Sequence, residues 1–418
     1  MNGFTKVAAL SAIVLSSCLA ATWYSGQQYQ SYLQQSIALT ELQYGPELTI
    51  ELNTSEQGLF GETERYLISY APMGQADDAF ELVFEQRVNF LPGIIKGNFQ
   101  LNFDTPQWQA LNQKLAKPLS DQGQWQANVF TGLATYQYRL NGVNAAQDNA
   151  ELTVGDLTAT GDFNLDLSHH NSLISLAHFG FSDDEITITA GKLSADLQLV
   201  LTEGIYDISH SSLHLANGDM SQRTGGKAKV TNLLMNSSVN HEQGFTSVIS
   251  NNHIDSLHFV DGDEQMELNN SNFDLTLSKL PSASYFALAK SNQADLMVIM
   301  EHLDSLLSQG LLLTVDQIDG ELSLSSSGDK INGHYHSKGT IDLPALSLEQ
   351  LQTPAIISAI SAKFNLGFSE AMFEQHPLAP QIDGFEQSGY LKRENGELVS
   401  EINFTDGQLT LNQQPLML

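Results

Sequence analysis

The chain has 418 residues, 41% of them hydrophobic, enough to bury a sizeable core in one extended body or in two ordinary domains. Acidic residues number 48 against 18 basic ones, and the formal charge of -30 opposes attraction to phosphate backbones, which argues against nucleic acid as a partner. The single cysteine, Cys18, excludes an intramolecular disulfide and a cysteine-rich metal site.

From Val7 to Tyr24 there is no charged residue, and Lys6 is the only positive charge before this stretch. Eighteen helical residues rise about 27 Å, close to the thickness of a bilayer's hydrocarbon core, and Trp23 and Tyr24 fall where an interfacial aromatic belt would lie. The segment 1–24 therefore reads as an export or anchor signal that leaves the N-terminus in the cytoplasm and sends the rest outward. Three modes remain open: an uncleaved single-pass anchor, a cleaved signal peptide, and a lipobox, Leu15-Ser16-Ser17-Cys18, in which Cys18 is the lipidation site. Each places the body outside the cytoplasm.

Tyr29, Tyr32, Leu33, Ser36 and Ile37 recur at helical spacing, so residues 25–44 read as a stalk helix that ends before Gly45-Pro46. From Leu48 onward the apolar period becomes two. Leu48, Ile50 and Leu52 alternate with polar residues; so do Phe99, Leu101 and Phe103, then Phe163, Leu165 and Leu167, then Phe273, Leu275 and Leu277. Strands with one buried and one wet face read this way, most simply in antiparallel pairs. Glycines at 97, 161, 191, 320, 339 and 407 each precede such a run and are expected to supply the turn that opens a strand. The fold class expected is mainly β with minor α, a long curved antiparallel sheet or meander with a few packed helices, preceded by an N-terminal membrane anchor helix. One helix is expected behind Thr105-Pro106, with Trp108, Leu111 and Leu115 on one face. Another runs over 284–309 with a stripe including Leu296, Leu303 and Leu307, and a short one follows Ser369. The resulting division is a β-rich region over 45–280, a helical segment over 281–310 and a second β-rich region over 311–418.

Candidate chemistry is sparse. His334 and His336 share a strand face and are the best metal pair, but a site needs a third ligand and none is identifiable nearby in sequence, so an exposed polar face is preferred. His169 and His170 would point to opposite faces. The acidic runs Asp183-Asp184-Glu185 and Asp261-Gly262-Asp263-Glu264 lack the spacing of an EF-hand and read as turns. With no nucleophile elbow, zinc-binding helix, phosphate loop or dinucleotide glycines, no catalytic residue, metal or cofactor is assigned and no enzyme is expected.

Three stretches carry a likeness: the anchor leading into Trp23-Tyr24-Ser25-Gly26, Gln57-Gly58-Leu59-Phe60-Gly61, and Phe404-Thr405-Asp406-Gly407-Gln408-Leu409-Thr410-Leu411-Asn412. On these the chain resembles the YdgA-like family of bacterial envelope proteins. The resemblance implies a body in the periplasm held at the inner membrane, and supplies no reaction. The function expected is a non-catalytic envelope protein facing the periplasm that handles lipid or supports envelope maintenance, because many strands with one apolar face must cover it with each other, with helices or with acyl chains. The alternative is a protein-binding module, or a partner of a membrane complex, acting as a homodimer through strand edges.

Overall fold

The computed structural model describes residues 3–44, 47–71, 80–103, 105–290, 296–326, 329–351, 353, 355–374 and 379–416. The protein is mainly β, with antiparallel pairing throughout, and it forms two compact units. Unit 1 comprises Met1–Asp148, Leu152–Ala177 and Asp196–Ile208; unit 2 comprises Asn149–Glu151, His178–Ala195 and Ser209–Leu418. Position 281, near which the helical segment is expected to begin, lies inside unit 2.

In unit 1 a 42-residue helix, α1 (Gly3–Tyr44), leads into β1 (Leu48–Gly58), β2 (Gly61–Tyr70), β3 (Phe80–Leu91) and β4 (Ile94–Asn102). The short α2 (Pro106–Asn112) precedes β5 (Asp121–Asn128), β6 (Leu133–Leu140) and β7 (Val143–Gln147). Next come β8 (Ala150–Val154), β9 (Leu157–Asn164) and β10 (His169–Leu176). Strands β1 to β6 pair in sequence, and β9 pairs with β6 and β10. The stretch read as a stalk is not free-standing: it is the second half of α1, and its Ser25 and Tyr29 are buried on the sheet. Tyr29 joins Val88, Phe90, Ile95, Ala127 and Ala134 in the core of the unit, stacked 5.7 Å from the Trp125 ring, while Tyr32 stacks 5.3 Å from Phe163. Spacing of four and three residues puts Ser25, Tyr29 and Tyr32 on one helix face, which explains why this face docks.

Several expectations are corrected here. The expected strand through Leu167 ends at Asn164, where the chain turns and Leu167 takes a left-handed φ of 62°. Gly97 and Gly161 lie inside strands rather than at their openings. A Cβ at Gly97 would stand 2.1 Å from the indole nitrogen of Trp125, so a large ring on the neighbouring strand fills the place of the missing side chain. On α2, Thr105 is at the N-cap with extended backbone but makes no side-chain cap bond. Trp108 packs 5.0 Å from both Phe80 and Phe103, while Leu111 is exposed.

Unit 2 is built around long hairpins. After β11 (Phe179–Ser182), β12 (Ile186–Ala190) and β13 (Leu193–Thr202), which belongs to unit 1 from Asp196 onward, they are β14 (Ile205–Gln222, in unit 2 from Ser209), β15 (Lys227–Glu242), β16 (Phe245–Asp261), β17 (Glu264–Pro281), β18 (Leu311–Ser326) and β19 (Asp329–Leu343). Strands β14 to β19 form a meander in chain order. Of the helix expected over 284–309, the described residues form α3 (Ser282–Lys290) and α4 (Leu296–Leu307), with a hydrogen bond between Ser284 and Ser305, and residues 291–295 lie outside the described residues. Among the described side chains of α4, Leu306 and Leu307 are deeply buried and Leu303 is half-buried. The unit closes with α5 (Leu348–Leu351), α6 (Ala355–Ala359), β20 (Ser361–Ser369), α7 (Ala379–Gln387), β21 (Lys392–Glu394), β22 (Glu397–Thr405), β23 (Gln408–Leu411) and β24 (Gln414–Pro415). Behind Ser369 there is a single 3-10 turn, Glu370–Met372, in place of the expected helix, and residues 375–378 lie outside the described residues.

Candidate functional site

Two places gather side chains in ways that the sequence pattern does not announce. The first is the junction of α1 with β2 and β3. Glu62 and Glu64 stand two apart on β2 and so share a face, and both are buried although charged side chains normally avoid that. Each has a partner on the helix: Gln30 Nε2 donates to Glu62 Oε1 at 2.6 Å, and the Tyr29 hydroxyl donates to Glu64 Oε2 at 2.5 Å. Gln86 Nε2, directly across from Glu64, donates to that oxygen at 2.8 Å and to the Tyr29 hydroxyl at 2.7 Å. Burial, and secondarily the charge of Glu64, pushes Glu62 up to about 7. The same two causes raise Tyr29 well above the ordinary phenol range. This network is closed on itself and fastens the helix to the sheet.

The second place is at the C-terminal end of unit 2. Alternation on β20 puts Leu366 and Phe368 on one face, and the register with β22 sets them opposite Ser400 and Leu398. Ile402 extends that face and pairs with Leu411 of β23. Over this floor lies α7, presenting Ile382 and Phe385, with Phe373, Tyr390 and Leu391 as walls. The half-open cavity between them measures about 290 Å³. Its two polar side chains are both committed: Ser400 donates to the Tyr390 carbonyl at 2.9 Å, and the Tyr390 hydroxyl donates to the Pro415 carbonyl at 3.2 Å. A guest would therefore meet hydrocarbon and aromatic rings and no free hydrogen-bonding side chain. Arg393 holds α7 in place: it donates to Glu386 of α7 at 2.8 Å, to Asp383 of α7 at 2.7 Å, and to Glu370 of the preceding turn. Those carboxylates raise the Arg393 guanidinium above its ordinary range.

The residues singled out by sequence fall elsewhere. Cys18 is exposed on α1, as are Trp23 and Tyr24, which flank no pocket. Among the described residues no helix is long and apolar enough to cross a membrane; within the expected span Val7–Tyr24, the side chains of residues 7–16 lie outside the described residues. His334 and His336 do share a face, with ring centres 6.1 Å apart, and His336 Nδ1 lies 3.8 Å from Glu397. Among the described residues no group of three histidine, cysteine or acidic side chains could hold a metal ion. Asp183 accepts from the amides of Glu185 and Ile186, and Asp261 pairs with Glu264 across a Gly262-Asp263 loop, so both acidic runs are turns. His170 lies 3.0 Å from Ser172 and 3.2 Å from Tyr136, but it is wedged against Phe163 and Tyr206, and desolvation lowers its pKa. That cluster is a packed polar knot.

The sequence matches the family described as bacterial protein of unknown function (DUF945) over residues 5–418. The chain belongs to that family. Comparison with curated proteins and with solved structures gives no match. Wider clefts of about 430, 490 and 510 Å³ lie elsewhere on the protein, and the C-terminal cavity is set apart from them by its almost wholly apolar lining rather than by its size. Sequence reading missed it because its lining comes from six short segments, among them α7, whose Pro380 and Gly384 disguise a helix.

Proposed function

We propose that the protein is a non-catalytic envelope protein of the YdgA-like kind, held at the inner membrane by an uncleaved helix through Val7–Tyr24, with its body in the periplasm, and that it binds a single hydrocarbon chain of a lipid. The observation that carries the binding reading is the chemistry of the C-terminal cavity. About 290 Å³ is near the lower end for ligand sites, and the lining is apolar apart from the Ser400 and Tyr390 hydroxyls, both already committed. Such a site discriminates by shape and apolar area, the terms that favour an acyl chain over a polar metabolite. The anchor would keep the cavity near a membrane supply of lipid.

Phe385 tests this reading because it borders the cavity yet is 46% exposed, so its replacement perturbs the mouth without emptying a core. Phe385→Asp should weaken binding of a fluorescent fatty acid about tenfold or more, with a thermal midpoint close to that of the parent. Equal binding by parent and variant would remove the cavity from the account. A second reading is favoured by one observation: residues 51–58 of β1 are exposed without interruption, a surface on which a partner strand or a second copy could add. Sedimentation of the full chain at increasing concentration separates the two, since strand addition between copies makes the mass concentration-dependent.

A further inference from the structure

At one end of unit 1, where α1 meets the sheet, three hairpin loops contain no charged residue: Gly58–Gly61, Leu91–Ile94 and 129–133. They present Phe60, 62% exposed, and Phe130, 74% exposed, together with Leu59 and Leu91. Backbone contacts tie the loops into one group. The Phe90 amide donates to the Phe60 carbonyl at 2.8 Å, and the Val129 amide donates to the Gly93 carbonyl at 3.0 Å. The Phe130 ring covers Gly93 so closely that a Cβ there would stand 2.0 Å from it. Pro92 followed by Gly93, with φ of 73°, makes the tight turn that leaves this space.

The helix is fastened to the same group. Ser25 is fully buried, its hydroxyl donating to the Leu91 carbonyl at 3.0 Å and accepting from the Gly93 amide at 3.2 Å. The two residues before it, Trp23 and Tyr24, are exposed, and they end the uncharged stretch that begins at Val7. At the other end of the same strands the character reverses: the connection from β4 to β5 carries Lys114 and Lys117, and β5 opens on Asp121.

Single exposed apolar side chains are ordinary on a protein surface. Here six, from four separate segments, gather at one uncharged end, continuous with the apolar half of a helix. We propose that Trp23, Tyr24, Leu59, Phe60, Leu91 and Phe130 form a collar that seats the body on a lipid bilayer, the loops dipping to headgroup level around the emerging helix. The formal charge of -30 gives anionic lipid no attraction to the body as a whole, so apolar insertion at the collar supplies the contact that electrostatics does not. The collar fixes the tilt of the sheet relative to the membrane. It rests on the reading of Val7–Tyr24 as an uncleaved anchor.

The test uses the full chain with Cys18→Ser, reconstituted in phosphatidylethanolamine and phosphatidylglycerol vesicles. An environment-sensitive dye is placed at Phe60→Cys, at Phe130→Cys or, as the control at the far end, at Asn141→Cys. Lipids carrying a nitroxide high on the acyl chain should quench dye at 60 and 130 several-fold more than dye at 141. Protein that floats with the vesicles while all three dyes remain equally unquenched keeps the anchor and overturns the collar. Protein that does not float overturns the anchor and the collar together. Blue-shifted dyes at 60 and 130 with no quenching by lipid would assign this end to protein contact and also overturn the collar.

Discussion

Tyr29 enters the core of unit 1 through its ring and a carboxylate network through its hydroxyl, and the two roles separate by substitution. Tyr29→Phe keeps the stack on Trp125 and removes one donor to buried Glu64, a loss of about 1–3 kcal/mol. Tyr29→Ala removes both and should lower stability by about 3–5 kcal/mol, read as the thermal midpoint of the first unfolding transition. Glu62 adds a pH dependence with a definite sign. Its folded pKa, raised to about 7, lies above that of an unfolded glutamate, so the folded state favours the protonated form. Its stabilising contribution is complete below the unfolded value and fades as pH rises through about 7. Glu62→Gln should therefore raise the midpoint at pH 8 relative to the parent and change it little at pH 4. A variant as pH-sensitive as the parent would assign that dependence to other groups. None of this was legible in the strand alternation, which marks Glu62 and Glu64 as ordinary polar positions. Their partners on α1 stand more than thirty residues earlier, and only the docking of the helix satisfies them.

Among the elements, those fixed by local pattern could be read in advance and those fixed by distant packing could not. Alternation at 273–277 marks part of β17, and the helical spacing of Tyr29, Tyr32 and Leu33 marks the docked face of α1. The stripe over 296–307, which includes Leu306 and Leu307, marks α4, and among its described side chains those two are the buried ones while Leu303 is half-buried. Leu306→Asp should cost on the order of 3–5 kcal/mol by emptying a core position and burying a charge, and Leu303→Asp distinctly less. Glycines in strands misled because they look like turn signals; at Gly339 an added Cβ would meet the Phe364 ring at 2.5 Å, so a close neighbour and not a turn requires glycine. Helix α7 depends on Arg393, whose replacement by Gln would leave Glu370, Asp383 and Glu386 without their shared cation. Arg393→Gln should speed amide hydrogen exchange in 379–387 and weaken fatty-acid binding several-fold, with exchange in β14 to β19 unchanged.

At the scale of the whole molecule, the stretches that carry the family likeness lie beside the features with functional weight. Gly58-Leu59-Phe60-Gly61 is the loop between β1 and β2 at the uncharged end of unit 1. The Asp406-Gly407 loop, with φ of 53° and 73°, joins β22 to β23 and brings Leu411 to the cavity. A sequence without catalytic motifs is accounted for if these parts serve binding and placement, with apolar surface rather than ionisable groups as the working chemistry. The central claim, that the C-terminal cavity receives a hydrocarbon chain, is tested most directly by photocrosslinking. The full chain in vesicles is irradiated with a fatty acid bearing a diazirine near its methyl end, and labelled peptides are identified by mass spectrometry. The account predicts labels on Leu366–Phe373 and Ile382–Leu398, lost on competition with unlabelled fatty acid and reduced in Phe385→Asp. Labels confined to other segments, or none that competitor removes, would contradict it.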